Sequence, residues 1–186
     1  MNKVVKLALI LFLISAVVAG ILGGVYNVTK DPIAENAAKV TREAYEAVMP
    51  AGVTIDPAQA QELGEVVSVN GASITLLKCT PADDGNVYVV EAVTSGSQGK
   101  VTTAIGVDKS TGQCTGIAIV SSSETSGLGA EASKPYFKDQ LVGKDGQSCF
   151  ITKEGGQVNA ITGATITSKA VTRSVSAAID YVANLG

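Results

Sequence analysis

The sequence predicts an α+β protein: one N-terminal membrane-spanning helix, then a single extracytoplasmic domain with a hairpin-rich antiparallel sheet and flanking helices. Three observations lead there. An unbroken apolar run lies near the N-terminus, five short strand-like runs separated by turn residues fill the middle, and helical periodicity marks both ends of the body. Strands grouped together with helices outside them fit α+β rather than a doubly wound parallel sheet.

The apolar run is "LALILFLISAVVAGILGGV", Leu7 to Val25, nineteen residues with Ser15 as the only polar side chain. At about 1.5 Å rise per residue it nearly matches a hydrocarbon core of about 30 Å. Lys3 and Lys6 precede it, so the positive-inside rule places residues 1–6 in the cytoplasm, 7–25 across the cell membrane and 26–186 outside. A cleaved signal peptide is the competing reading, because Val17 and Ala19 mimic a cleavage site. The run continues six residues past Ala19, which favours an uncleaved anchor. No second run of this kind follows, so lipid contact is expected through one helix. From Val25 to Asp31 the chain reaches roughly 20 Å at most, which would keep the domain near the membrane.

"DPIAENAAKVTREAYEAVMP" then offers Asp31 as an N-cap and Pro32 at the first helical position. Ile33, Ala37, Val40, Ala44 and Val48 share one apolar face, expected to pack on the domain, and Pro50 stops the helix. The strand-like runs are "EVVSVN" and "SITLLKCT" around Gly71, "NVYVVEAVT", and "KVTTAIGVD" with "CTGIAIVS" joined by the hairpin signal "KSTGQ". "SSETSGLGAEASKPYF" is a loop by composition, "PYFKDQLVG" a short helix and "SCFIT" a further strand. A C-terminal helix begins near Thr165, with Val171, Val175, Ile179 and Val182 along one face.

Composition limits the chemistry. A length of 186 residues suits one domain plus an accessory segment. Net charge is −3, with no basic cluster beyond the N-terminus, which argues against nucleic-acid binding. The absence of histidine removes His-based triads and the usual proton shuttle near neutral pH. We expect no catalytic residues and no metal site of the chain's own, so any chemistry must come from a bound group. Cys79, Cys114 and Cys149 stand 35 residues apart with no CxxC pair, and buried thiols are favoured over a Cys114–Cys149 disulfide.

"ITGATITSKAV", Ile161 to Val171, places three threonines and a serine where the last helix begins. A helix start presents unpaired N–H groups and the positive end of the dipole, a site suited to phosphate. Gly163 allows a tight backbone turn there. Thr165 would hold its hydroxyl where a phosphate sits, while Thr162, Thr167 and Ser168 either bond the phosphate oxygens or merely cap the helix. On the residues alone, capping is the simpler reading.

The same stretch resembles the Ser/Thr-Gly-Ala-Thr-x-Ser/Thr flavinylation signature of the FMN-binding domain family. That family includes the G subunit of the Rnf complex and the C subunit of the sodium-translocating NADH:quinone reductase. A second segment, "GVDKSTGQCTGIAIVSSSETSGLG", is similar to the family's strand–turn–strand ending in an E-T-P-G-L-G loop. The resemblance covers most of the chain, and the short length and compact helix after the anchor look more like the Rnf protein. Ser126 departs from the usual proline, Ser122 from a frequent histidine and Asn159 from a common aspartate.

The resemblance implies FMN carried on Thr165 through a phosphodiester bond, which would make the chain formally a phosphoprotein, with Thr162, Gly163 and Ala164 completing the tetrad. The Thr165 hydroxyl would attack the diphosphate of FAD and release AMP, activated by a separate Mg²⁺-dependent flavin transferase. The loop from Glu124 through Thr125, Gly127 and Leu128 to Gly129 would lie against the isoalloxazine ring. The implied role is an electron-carrying flavoprotein subunit of a membrane-bound, ion-translocating ferredoxin:NAD oxidoreductase. It would work beside other membrane and peripheral subunits, with no turnover from this chain alone. Two alternatives stay open: a component like the quinone reductase's C subunit, and a non-redox anchored binding module.

Overall fold

The computed structural model describes residues 3–124 and 131–185. Helix α1 runs from Lys3 to Val48, and the chain divides into two compact units, residues 1–40 and 41–186. In the first unit the apolar stretch is exposed throughout. Its length and mean hydropathy of 2.7 suffice to cross a membrane.

Asp31 does not start a new helix, because Pro32 lies inside α1. Proline's fixed φ near −65° is compatible with a helix; its ring forfeits the bond to the Val28 carbonyl and crowds it. One turn earlier the Thr29 hydroxyl donates to the Val25 carbonyl at 2.8 Å. The residues between Val25 and Asp31, read as a short connection, are therefore helical. The expected apolar face packs only at its end: Ala44, Tyr45 and Val48 are buried, whereas Ile33 and Val40 are exposed.

In the second unit β1 (Gln61–Val69), β2 (Ala72–Pro81), β3 (Val87–Ser95), β4 (Lys100–Asp108) and β5 (Gln113–Ser122) form an antiparallel sheet in chain order. Asn70 and Gly71, both at positive φ, make the two-residue turn that sets Val69 opposite Ala72. At the β4–β5 turn the Asp108 carboxylate accepts the Ser110 hydroxyl and amide at 2.6 and 2.8 Å, which lowers its pKa.

Among the described residues, the short α2 (Pro135–Lys138) and then α3 (Thr165–Ala183) follow the sheet's second edge in sequence. One sheet face packs on α3, where Val171, Val175, Ala178 and Val182 join Ile74, Leu76, Val90 and Ile105 in the main core. The opposite face receives the end of α1, with Tyr45 and Val48 against Val89 and Ala104. Gly106 and Gly116 pair across β4 and β5 beneath Val48. A Cβ on Gly106 would lie 2.5 Å from the Val48 carbonyl oxygen, and one on Gly116 3.0 Å from its Cα. Bare backbone at these two positions is what lets the helix end approach. Thr115 then donates its hydroxyl to the Val48 carbonyl at 2.7 Å, satisfying one of the acceptors a helix end leaves unpaired.

"SCFIT" is not a strand. Ile151 makes one parallel bridge to Val158, and Thr152–Glu154 form a single 3-10 turn. The chain doubles back so tightly that a Cβ on Gly156 would meet the Phe150 carbonyl oxygen at 1.9 Å, which leaves no length for a ladder. Cys79, Cys114 and Cys149 are all buried free thiols.

Candidate functional site

The turn before α3 is built by Gly163, whose φ of +80° is open to glycine at no steric cost. Ala164 closes the turn by donating its N–H to the Ile161 carbonyl at 3.0 Å, and α3 opens at Thr165. Ala164 occupies the N-cap position and provides no side-chain cap. The first backbone bond of the helix is Ser168 N–H to the Ala164 carbonyl at 2.9 Å. The amides ahead of it lie in the first turn, where no intrahelical acceptor exists.

None of the hydroxyls caps this helix. Ser168 is fully buried; its hydroxyl accepts the Ile161 N–H and donates to the Ala164 carbonyl, each at 2.9 Å. Thr167 is 0% exposed, and its hydroxyl donates to the Glu124 carboxylate, 2.8 and 3.0 Å from the two oxygens. Thr162 and Gly163 are exposed, Thr165 is half-buried, and Ile166 beside it is 57% exposed. The structure thus sorts the cluster: Thr167 and Ser168 fasten the helix start from inside, while Thr162 is exposed and Thr165 half-buried, neither with a side-chain hydrogen bond among the described residues. An unbonded hydroxyl beside uncapped amides fits a phosphate ester, because the amides and the dipole would stabilise its charge.

Glu124 reaches the site through Thr167. The same carboxylate accepts the Ser97 amide from the β3–β4 turn. A Cβ on Gly96 would lie 2.2 Å from a Glu124 carboxylate oxygen, and one on Gly99 2.4 Å from the Ser123 carbonyl oxygen. Glu124 therefore ties the β3–β4 turn, the end of β5 and the first turn of α3 together. Sequence reading placed Glu124 in the site but missed this role, since the partners are 27 and 43 residues away. Thr125, Gly127, Leu128 and Gly129, the rest of the expected ring-contacting loop, lie outside the described residues.

One turn further along α3, Lys169 pairs with Glu154 at 3.3 Å, and Arg173 pairs with the same carboxylate oxygen. No group of three or more acidic or cysteine side chains suited to a metal ion occurs among the described residues.

Residues 96–180 match the family described as FMN-binding domain, and residues 1–48 match the RnfG N-terminal region. The G subunit of the ion-translocating oxidoreductase complex of Methanosarcina acetivorans is 33% identical over 183 residues, spanning 97% of this chain and 95% of that one. The G subunit of the Na⁺-translocating ferredoxin:NAD⁺ oxidoreductase complex of Acetobacterium woodii is 38% identical over 194 residues, 98% of this chain and 93% of that one. The crystal structure of Shewanella oneidensis NqrC covers 72% of this chain and 66% of its own at a TM-score of 0.43 and 18% identity, a likeness too slight to argue from. Near-complete coverage at these identities, together with the family matches at both ends of the chain, shows that it belongs to the G-subunit family of Rnf ion-translocating oxidoreductase complexes and carries an FMN-binding domain.

Proposed function

We propose that this chain is the flavin-bearing electron carrier of an ion-translocating ferredoxin:NAD⁺ oxidoreductase complex, with FMN joined to Thr165 by a phosphodiester bond. The flavin supplies the redox chemistry, and the protein supplies its attachment, orientation and electrostatic surroundings. The observation that carries the reading is the half-buried Thr165, its hydroxyl unbonded among the described residues, at an uncapped helix start in a chain of this family. In the attachment, Thr165 Oγ1 forms a bond to the FMN phosphorus of FAD, the bond from that phosphorus to the bridging oxygen breaks, and AMP leaves. The hydroxyl proton goes to a base of the flavin transferase. A lone threonine is a weak nucleophile, so activation belongs to that enzyme.

The anchor from Leu7 to Val25, with Lys3 and Lys6 before it, supports a cytoplasmic N-terminus and an extracytoplasmic domain. The match of residues 1–48 to the RnfG N-terminal region favours the Rnf assignment over the quinone-reductase alternative. Related proteins are named for Na⁺ and for proton translocation.

The test is production of the full chain with a flavin transferase, as wild type and as Thr165→Val. The wild type should show a flavin-fluorescent band after denaturation and Thr165→Val none, because valine keeps the shape and removes the oxygen. A fluorescent denatured Thr165→Val band would reject the assignment.

A further inference from the structure

An open cleft of about 400 Å³ lies beside the tetrad, within the size range of small-molecule sites. Its walls include Glu131, Tyr136, Gln140, Asn159, Ala160 and Thr162. Thr162 is three residues from Thr165, at most about 10 Å of backbone. Another hollow near α3, about 330 Å³ between β1 and Asp180–Tyr181, lies fifteen residues along the helix, roughly 22 Å from Thr165.

The cleft is held open by internal bonds. The Gln140 carboxamide donates to the Tyr136 carbonyl at 2.9 Å and accepts the Asn159 N–H at 2.8 Å, so it braces the two walls. Tyr136 is 54% exposed although aromatic, and its hydroxyl donates to Glu131 at 2.8 Å, which raises the phenol's pKa and fixes the ring. The side chains of Asn159 and Thr162 make no hydrogen bond among the described residues and are exposed. A braced hollow with one bare aromatic face and free amide and hydroxyl groups at its rim suits a flat heteroaromatic with apolar faces and polar edges.

We propose that this cleft is the seat of the isoalloxazine ring, with Tyr136 as the aromatic wall against it and Asn159 at its polar edge. The inference rests on covalent FMN at Thr165, and it adds two ring contacts, Tyr136 and Asn159, from outside the tetrad and outside the glycine-rich loop.

A phenol in contact with an excited flavin quenches its fluorescence by donating an electron that returns in the dark, so no net reaction occurs. The chain has no tryptophan, which leaves tyrosine as the efficient aromatic quencher. The full chain, made with the transferase and kept in detergent, is compared as wild type, Tyr136→Phe, Tyr136→Leu and Tyr181→Phe. Fluorescence is read per flavin before denaturation and again after it. The wild type should gain fluorescence on denaturation. Both Tyr136 variants should show at least twofold higher native fluorescence at equal covalent loading, and Tyr181→Phe should match the wild type. Native fluorescence unchanged in both Tyr136 variants, with loading intact, overturns the ring site and leaves the attachment standing. Loss of flavin from the denatured wild type overturns the attachment itself, and the ring site with it.

Discussion

Thr167 and Glu124 show how one hydroxyl is used at the start of α3. The bond is charge-assisted and its donor is fully buried, so its loss is costlier than that of an exposed pair. Thr167→Val should lower the stability of the domain by about 1.5–3 kcal/mol, seen as a lower melting temperature of the detergent-solubilised chain. Thr162→Val removes an exposed hydroxyl without a bond among the described residues and should leave that temperature unchanged. Equal melting of wild type and Thr167→Val would mean that the link does not hold the helix start. The cysteines belong to this scale too. Burial pushes the Cys114 and Cys149 thiols up to about 12 and Cys79 to about 11. A raised pKa keeps the thiol protonated at neutral pH, and the reactive thiolate appears only as pH climbs towards those values. Native protein at pH 8 should therefore resist a maleimide that labels all three cysteines after denaturation. Rapid labelling of the native chain would contradict this burial.

Among the elements, the junction of α1 with the sheet depends on two glycines. At Gly106 an added Cβ would come within 2.2 Å of the Thr115 hydroxyl and 2.5 Å of the Val48 carbonyl oxygen, whereas at Gly116 the nearest atom is 3.0 Å away. Gly106→Ala should cost about 1–3 kcal/mol by forcing the helix end off the sheet, and Gly116→Ala distinctly less, as read by thermal melting of both variants. The reverse order would show that Val48 does not sit where it is described. Elements also show where sequence reading succeeds. The β2 to β5 runs were legible because β-branched residues are bounded there by turn residues with a local mechanism, such as Asn70-Gly71 and Asp108–Gly112. Pro32 misled because proline favours a helix start, whereas here it sits inside α1 at the cost of one backbone bond; Asp31 looks like a cap in either case. "SCFIT" misled because Cys149, Phe150 and Ile151 are buried as a strand's residues would be, while the return at Gly155–Gly156 allows only one bridge.

At the scale of the whole molecule, a long apolar helix and a compact α+β body were both readable, since each depends on hydrophobic patterning along the chain. The site was readable only as a place. The tetrad singles out Thr165 as the proposed attachment point, but the division of labour among the hydroxyls depends on Glu124 and Ile161 meeting the first turn of α3 in space. The cleft beside Thr162 likewise joins residues 131–140 to 159–162, and no local pattern announces it. The central claim is that a phosphate-linked flavin is carried on Thr165, and it is tested most directly by locating the modification. Cleavage after Lys153 and Lys169 leaves Thr162, Thr165, Thr167 and Ser168 on one peptide, which mass spectrometry with fragmentation can order. The expected peptide is heavier by FMN less one water, with every fragment that contains Thr165 carrying the added mass. An unmodified peptide from protein matured with the transferase, or the added mass on Thr162, Thr167 or Ser168, would contradict it.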